Sequence, residues 1–119
     1  MSDVVPFRVD VPDETLEGIR AKVAAFPWHE MPDDGGWAYG TNLDYMKQLC
    51  AYWVEEYDWR KHEAELNKLP HFKTEIDGLE MHFVHIRSKE PNALPLVITH
   101  GWPGSVYEFM DIKIGRAHV

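Results

Sequence analysis

An α/β fold is predicted for this 119-residue chain by three features. Apolar residues recur at three- and four-residue steps in the first half of the sequence. Strict alternation takes over after Pro70, and a short unbroken apolar run, "LVIT" at 96–99, leads directly into the glycine- and proline-rich turn "HGWPGS". Helical spacing, then a period of two, then a short apolar strand is the order expected of helices feeding a sheet.

Each element follows from local chemistry. "VDVPDETLEGIRAKVAAF" reads as a helix starting near Pro12 and Asp13, with Leu16, Ile19, Val23 and Phe26 on one buried face. "PWHEMPDDGGWAYG" carries two prolines, paired glycines and two tryptophans, and is expected to be an ordered aromatic loop. Thr41 and Asp44 are a capping pair for a second amphipathic helix, on which Leu43, Met46, Cys50, Trp53 and Tyr57 recur at helical steps. "RKHEAELNKL" continues as a short polar helix that Pro70 ends. Beyond it, "HFKTEID" and "LEMHFVHIR" alternate around Asp77-Gly78, the sequence of a two-residue hairpin turn. The run "LVIT" is expected to be a central strand covered on both faces.

Length and composition give one compact unit as the prior. The chain is 45% hydrophobic and 27% charged, as globular chains are, and contains no internal repeat. Twelve Lys and Arg against 20 Asp and Glu leave a formal charge of -8, which opposes binding to nucleic acid or anionic membranes. No window has the roughly 20 apolar residues of a membrane anchor, and "MSDVVPFRVD" lacks the features of a signal peptide, so a cytoplasmic location is expected. The single cysteine, Cys50, is read as core filling. No cofactor or metal is called for. "HEMPD" at 29–33 lacks the second histidine of a zinc helix, the acidic "DDGG" reads as solvated loop, and His82 and His85, three apart in a strand, fall on opposite faces.

The candidate site is the turn after "LVIT". A strand, a tight turn and the start of a helix meet there, which leaves backbone N–H groups unpaired and able to stabilise a developing oxyanion. Taken alone, the same residues also describe an ordinary strand-to-helix turn. His100 opens the turn and is read as a buttress rather than a base.

The stretches "PFRVDVPDETLEGIRAKV", "GGWAYGTNLDYMKQLCAYWVEEYDWRKHEAELN", "IDGLEMHFVHIRS" and "PLVITHGWPGS" together resemble the N-terminal part of a microsomal-like epoxide hydrolase of the α/β-hydrolase superfamily. The resemblance implies an α/β-hydrolase fragment with an N-terminal helical segment, a leading β-hairpin and the first central strand. It divides the chain into a helical segment at 1–70, the start of the hydrolase core at 71–113, and a tail at 114–119. It also implies the family's chemistry. An aspartate attacks a small-molecule epoxide while two lid tyrosines hydrogen-bond the ring oxygen, and a histidine oriented by a carboxylate then drives hydrolysis of the ester to a vicinal diol. On this resemblance the Trp102 backbone N–H is an oxyanion donor, supported by His100, Gly101, Pro103 and Gly104, and the Trp102–Pro103 peptide is cis. The Trp102 side chain is assigned either to the substrate pocket or to packing. The nucleophile, the histidine and the lid tyrosines have no counterpart in these residues, so the chain alone is expected to be inactive.

"IGRAHV" at 114–119 departs from the family pattern, and the codons ATC GGA AGA GCA CAC GTC that encode it spell a common sequencing adapter. The tail is therefore expected to be non-native and the chain to be a truncated gene product. Two other readings remain open: a different α/β-hydrolase, such as a haloalkane dehalogenase or a proline iminopeptidase, and a stand-alone helical binding module. Substrate identity and oligomeric state are left open by the sequence.

Overall fold

The computed structural model describes residues 3–30, 32 and 35–112. The element order is β1 (Val5–Phe7), α1 (Asp13–Ala24), α2 (Leu43–Glu55), α3 (Trp59–Leu66), β2 (His71–Ile76), β3 (Leu79–Val84) and a one-turn 3-10 helix, Val106–Phe109. The chain divides into two compact units rather than the single one expected from its length. One is Asp10–Trp59, and the other combines the stretch ending at Val9 with the stretch beginning at Arg60. The residues of the tail at 114–119, and Met31, Asp33 and Asp34 of the "HEMPD" and "DDGG" motifs, lie outside the described residues.

In the unit Asp10–Trp59, α1 packs on α2. α1 begins where expected, with Pro12 at its N-cap and Asp13 and Glu14 in the first turn, where carboxylates favour the positive end of the helix dipole. The buried face expected for it is only partly formed. Leu16 and Val23 are half-buried, but Ile19 is 37% and Phe26 51% exposed, because the unit offers this stripe a single partner helix. At α2 the cap is Asn42 instead of the Thr41–Asp44 pair: its side-chain oxygen accepts the Tyr45 N–H at 2.9 Å, which satisfies one of the first-turn donors. Leu43, Met46 and Cys50 are half-buried along α2, whereas Trp53 stays exposed and meets Tyr57 edge-on at 6.3 Å. The aromatic loop is held by a turn at 36–39 and by Trp37, whose ring lies 5.4 Å from that of Tyr45.

In the other unit the hairpin forms in the register set by its turn. Asp77 and Gly78 have φ of 52° and 79°, as a two-residue type I′ connection demands, and β2 and β3 pair antiparallel from Ile76↔Leu79 to His71↔Val84. A third strand, β1, pairs antiparallel with β2 at Val5↔Lys73 to Phe7↔His71 and gives the order β1-β2-β3. Its three residues, one a proline, are too short to show a period in the sequence. The pleat places Phe72, Thr74, Ile76, Leu79, Met81 and Phe83 on one face, with the Phe72 and Phe83 rings 5.8 Å apart. The opposite face carries His71, Lys73, Glu75, Glu80 and His82.

β1 is anchored from outside the sheet. Asn67, just past α3, accepts the Val9 N–H at 2.9 Å and donates to the Val9 carbonyl at 2.8 Å, so one amide side chain pairs with both polar groups of that residue as a neighbouring strand would. Asn67→Ala is expected to destabilise this attachment by about 1 kcal/mol, the scale of hydrogen bonds lost at a partly buried site. Amide exchange at Phe7 and Val9 should quicken severalfold while exchange along β2 and β3 is little changed.

The central strand expected at 96–99 is not a strand here. Among the described residues "LVIT" has no ladder partner, Val97 is 85% exposed, and only Ile98 is half-buried. A strand exists through its neighbours' hydrogen bonds, and these residues supply none to this segment. No apolar side chain among the described residues is buried. The apolar sheet face and the "LVIT" segment are patterned for burial that these residues alone do not provide.

Candidate functional site

The turn at 100–104 follows the extended segment and precedes the 3-10 helix. Ser105 caps that helix: its hydroxyl accepts the Tyr107 N–H at 3.2 Å, and the Glu108 carboxylate accepts the Ser105 N–H at 3.1 Å. This reciprocal capping box fixes the exit of the turn. At its entrance, His100 Nδ1 lies 3.2 Å from the Gly101 carbonyl oxygen and can donate to it. Between the two, the Trp102–Pro103 peptide is cis, as the resemblance implied. Gly104 is required by space, since a Cβ there would overlap the Glu108 carboxylate and lie 2.6 Å from the Gly101 carbonyl oxygen.

The geometry leaves the middle of the turn open. Trp102 is 96% exposed, and among the described residues no acceptor pairs with its N–H. An N–H without an acceptor can donate to an oxyanion formed on a ligand. Of the other sequence candidates, His82 and His85 are separated as expected. The His82 ring meets Phe7 and His71 on one sheet face, while His85 meets Phe72 of the other at 6.4 Å. Among the described residues no three His, Cys, Asp or Glu side chains converge as a metal would require, and no helix is long and apolar enough to cross a membrane.

One pairing escaped the sequence reading. His71 and His82 are diagonal neighbours across the hairpin, with His71 Nδ1 2.9 Å from His82 Nε2. Burial, and secondarily the positive charge that His71 and Lys73 can carry, hold the His82 pKa below its ordinary value. The signal was present in the two-residue turn at Asp77-Gly78. It sets Lys73 opposite His82 and so brings His71, two residues earlier on the same face, beside it.

The profile of the family described as Epoxide hydrolase N terminus matches residues 4–109. A putative epoxide hydrolase of Stigmatella aurantiaca is 43% identical over 109 residues, covering 92% of this chain and 25% of that protein. Epoxide hydrolase 1 of Sus scrofa is 40% identical over 111 residues, covering 90% of this chain and 24% of that protein. The structure of Aspergillus niger epoxide hydrolase superposes with a TM-score of 0.85 at 35% identity, over 92% of this chain and 29% of the other. The juvenile hormone epoxide hydrolase of Bombyx mori does so with a TM-score of 0.81 at 33% identity, over 93% of this chain and 27% of the other. The chain thus spans about a quarter of the length of the curated relatives it matches. With a family match over residues 4–109 and structural neighbours that are α/β-hydrolase epoxide hydrolases, the chain belongs to the epoxide hydrolase N-terminus family.

Proposed function

We propose that these residues are the N-terminal part of an enzyme that opens small-molecule epoxides to vicinal diols, and that their contribution to the chemistry is the turn at 100–104. The observation that carries this reading is the Trp102 N–H, without an acceptor among the described residues, in a turn fixed on both sides by His100 and by the Ser105–Glu108 capping box. In the reaction, hydrolysis of an aspartyl ester places negative charge on the former carbonyl oxygen. The Trp102 N–H donates to that oxygen, and a single such donor contributes about 3 kcal/mol of transition-state stabilisation. Gly101 and Pro103 aim the donor, Gly104 gives the chain room to turn, and the exposed indole forms part of the wall against which the epoxide lies. The attacking aspartate, the water-activating histidine and the lid tyrosines are supplied by other parts of the enzyme.

Two preparations test the proposal. The 119-residue protein with a simple aryl or alkyl epoxide is expected to yield no diol. A protein in which residues 4–109 replace the matching stretch of the Aspergillus niger enzyme is expected to yield it. Diol from the chain alone would contradict the division of labour; a folded chimera that forms no diol would contradict the assignment of the turn.

A further inference from the structure

The polar face of the sheet contains a proton-counting arrangement that the hydrolase chemistry does not use. His71 is 4% exposed, and its Nε2 lies 2.8 Å from the Leu66 carbonyl oxygen at the end of α3. A carbonyl only accepts, so this nitrogen carries a hydrogen. The other ring nitrogen, Nδ1, lies 2.9 Å from His82 Nε2. The two rings are nearly parallel, at 17°, with centroids 5.1 Å apart, the spacing of imidazoles joined edge to edge by an N–H···N bond. With both rings neutral, His71 Nδ1 accepts and His82 Nε2 donates. One further proton fits without breaking the bond, on the outer nitrogen of His82. A second would set N–H against N–H at 2.9 Å between two cations.

We propose that the His71–His82 pair is an acid-sensitive latch that ties the end of α3 to the β2–β3 hairpin and opens when both rings are protonated. The surrounding charges agree with that direction. Lys73 of β2 faces His82 across the ladder and opposes its protonation, with its ammonium 2.6 Å from Glu80 of β3. Glu75 lies on the same face further along β2. β1 contributes Phe7, whose uncharged ring meets His82 edge-on at 5.3 Å, and α3 contributes the Leu66 carbonyl. Burial first, then His71 and Lys73, lower the His82 pKa in the closed latch, whereas in the open state the ring returns to its ordinary value near 6.5. Below that pH the open state binds more protons than the closed one. Closure is therefore complete above about 6.5 and is lost as the pH falls. The inference is independent of the proposed activity.

The test combines ring-nitrogen NMR with amide exchange on the whole chain between pH 7.5 and 5. At pH 7.5, His71 should be the Nε2–H tautomer. After correction for intrinsic rates, protection at His71 and Val84 should fall between about tenfold and a hundredfold per pH unit below 6.5, since opening takes up one proton where His82 is already charged in the closed latch and two where it is not. Amides of α2 should hold their protection, and His82→Phe should flatten the slope. An Nδ1–H tautomer at His71, an equal loss of protection in α2, or an unchanged slope in H82F would overturn the latch. Should H82F fail to fold, the wild-type rings decide it: two coupled titration steps support the latch, and two rings that titrate independently of each other overturn it.

Discussion

Replacing Gly104 by alanine in an epoxide hydrolase that carries residues 4–109 of this chain is expected to slow diol release about a hundredfold. The cause is steric. The added Cβ would overlap the Glu108 carboxylate, which is held by the Ser105 N–H, and would sit 2.6 Å from the Gly101 carbonyl oxygen. The carboxylate can swing away, but the carbonyl belongs to the peptide that carries the Trp102 N–H. Relieving the overlap therefore moves the donor, and an oxyanion donor works only within about 2.7–3.1 Å of its target. Because the oxyanion forms in the second chemical step, the covalent ester should form at its usual rate and then accumulate. Rapid-quench measurement of bound ester against released diol reads the two steps separately. Adding Glu108→Ala should not restore the rate, since it removes the carboxylate and leaves the carbonyl in place.

Gly78→Val is expected to weaken the β2–β3 hairpin by about 2 kcal/mol, because a β-branched residue pays heavily for a left-handed backbone conformation. Gly78 has φ of 79° and follows Asp77 at 52°, and a two-residue connection has no slack in which to relax. Every pair from Ile76↔Leu79 to His71↔Val84 depends on that turn, so protection should fall about thirtyfold along both strands, the equilibrium equivalent of about 2 kcal/mol. Exchange within Asp10–Trp59, a separate compact unit, should change little. Gly78→Asn, which tolerates positive φ, should recover most of the loss.

These substitutions fall where the sequence was most legible. The Asp77-Gly78 turn and the start of α1 at Asp13 are set by residue types with few conformational choices, whereas the cis Trp102–Pro103 bond was expected from the family resemblance. Elements that depend on distant partners were not legible. β1 is three residues long and exists because Lys73, Phe72 and His71 offer it a ladder and Asn67 pins the chain beyond it. "LVIT" has the composition of a buried strand, but composition specifies a need for neighbours and does not provide them. At α2, Asn42 displaced the expected Thr41–Asp44 cap because the competition among adjacent polar residues is decided by one turn of backbone geometry. The candidate turn was visible as a motif, while the reason Gly104 must be glycine needed the position of Glu108. The His71–His82 pair could have been found by carrying the hairpin register across the strands, since the pleat then places both on one face.

On the proposed function, the Trp102 backbone N–H stabilises the oxyanion of ester hydrolysis. The most direct test is a semisynthetic chimera in which the Gly101–Trp102 amide is replaced by an ester, which removes that N–H and retains the indole and the chain direction. Single-turnover kinetics with a simple epoxide should show formation of the covalent intermediate unchanged and its hydrolysis slowed about a hundredfold. Hydrolysis at the rate of the unmodified chimera would rule out the Trp102 N–H as the oxyanion donor and leave the turn a structural connection.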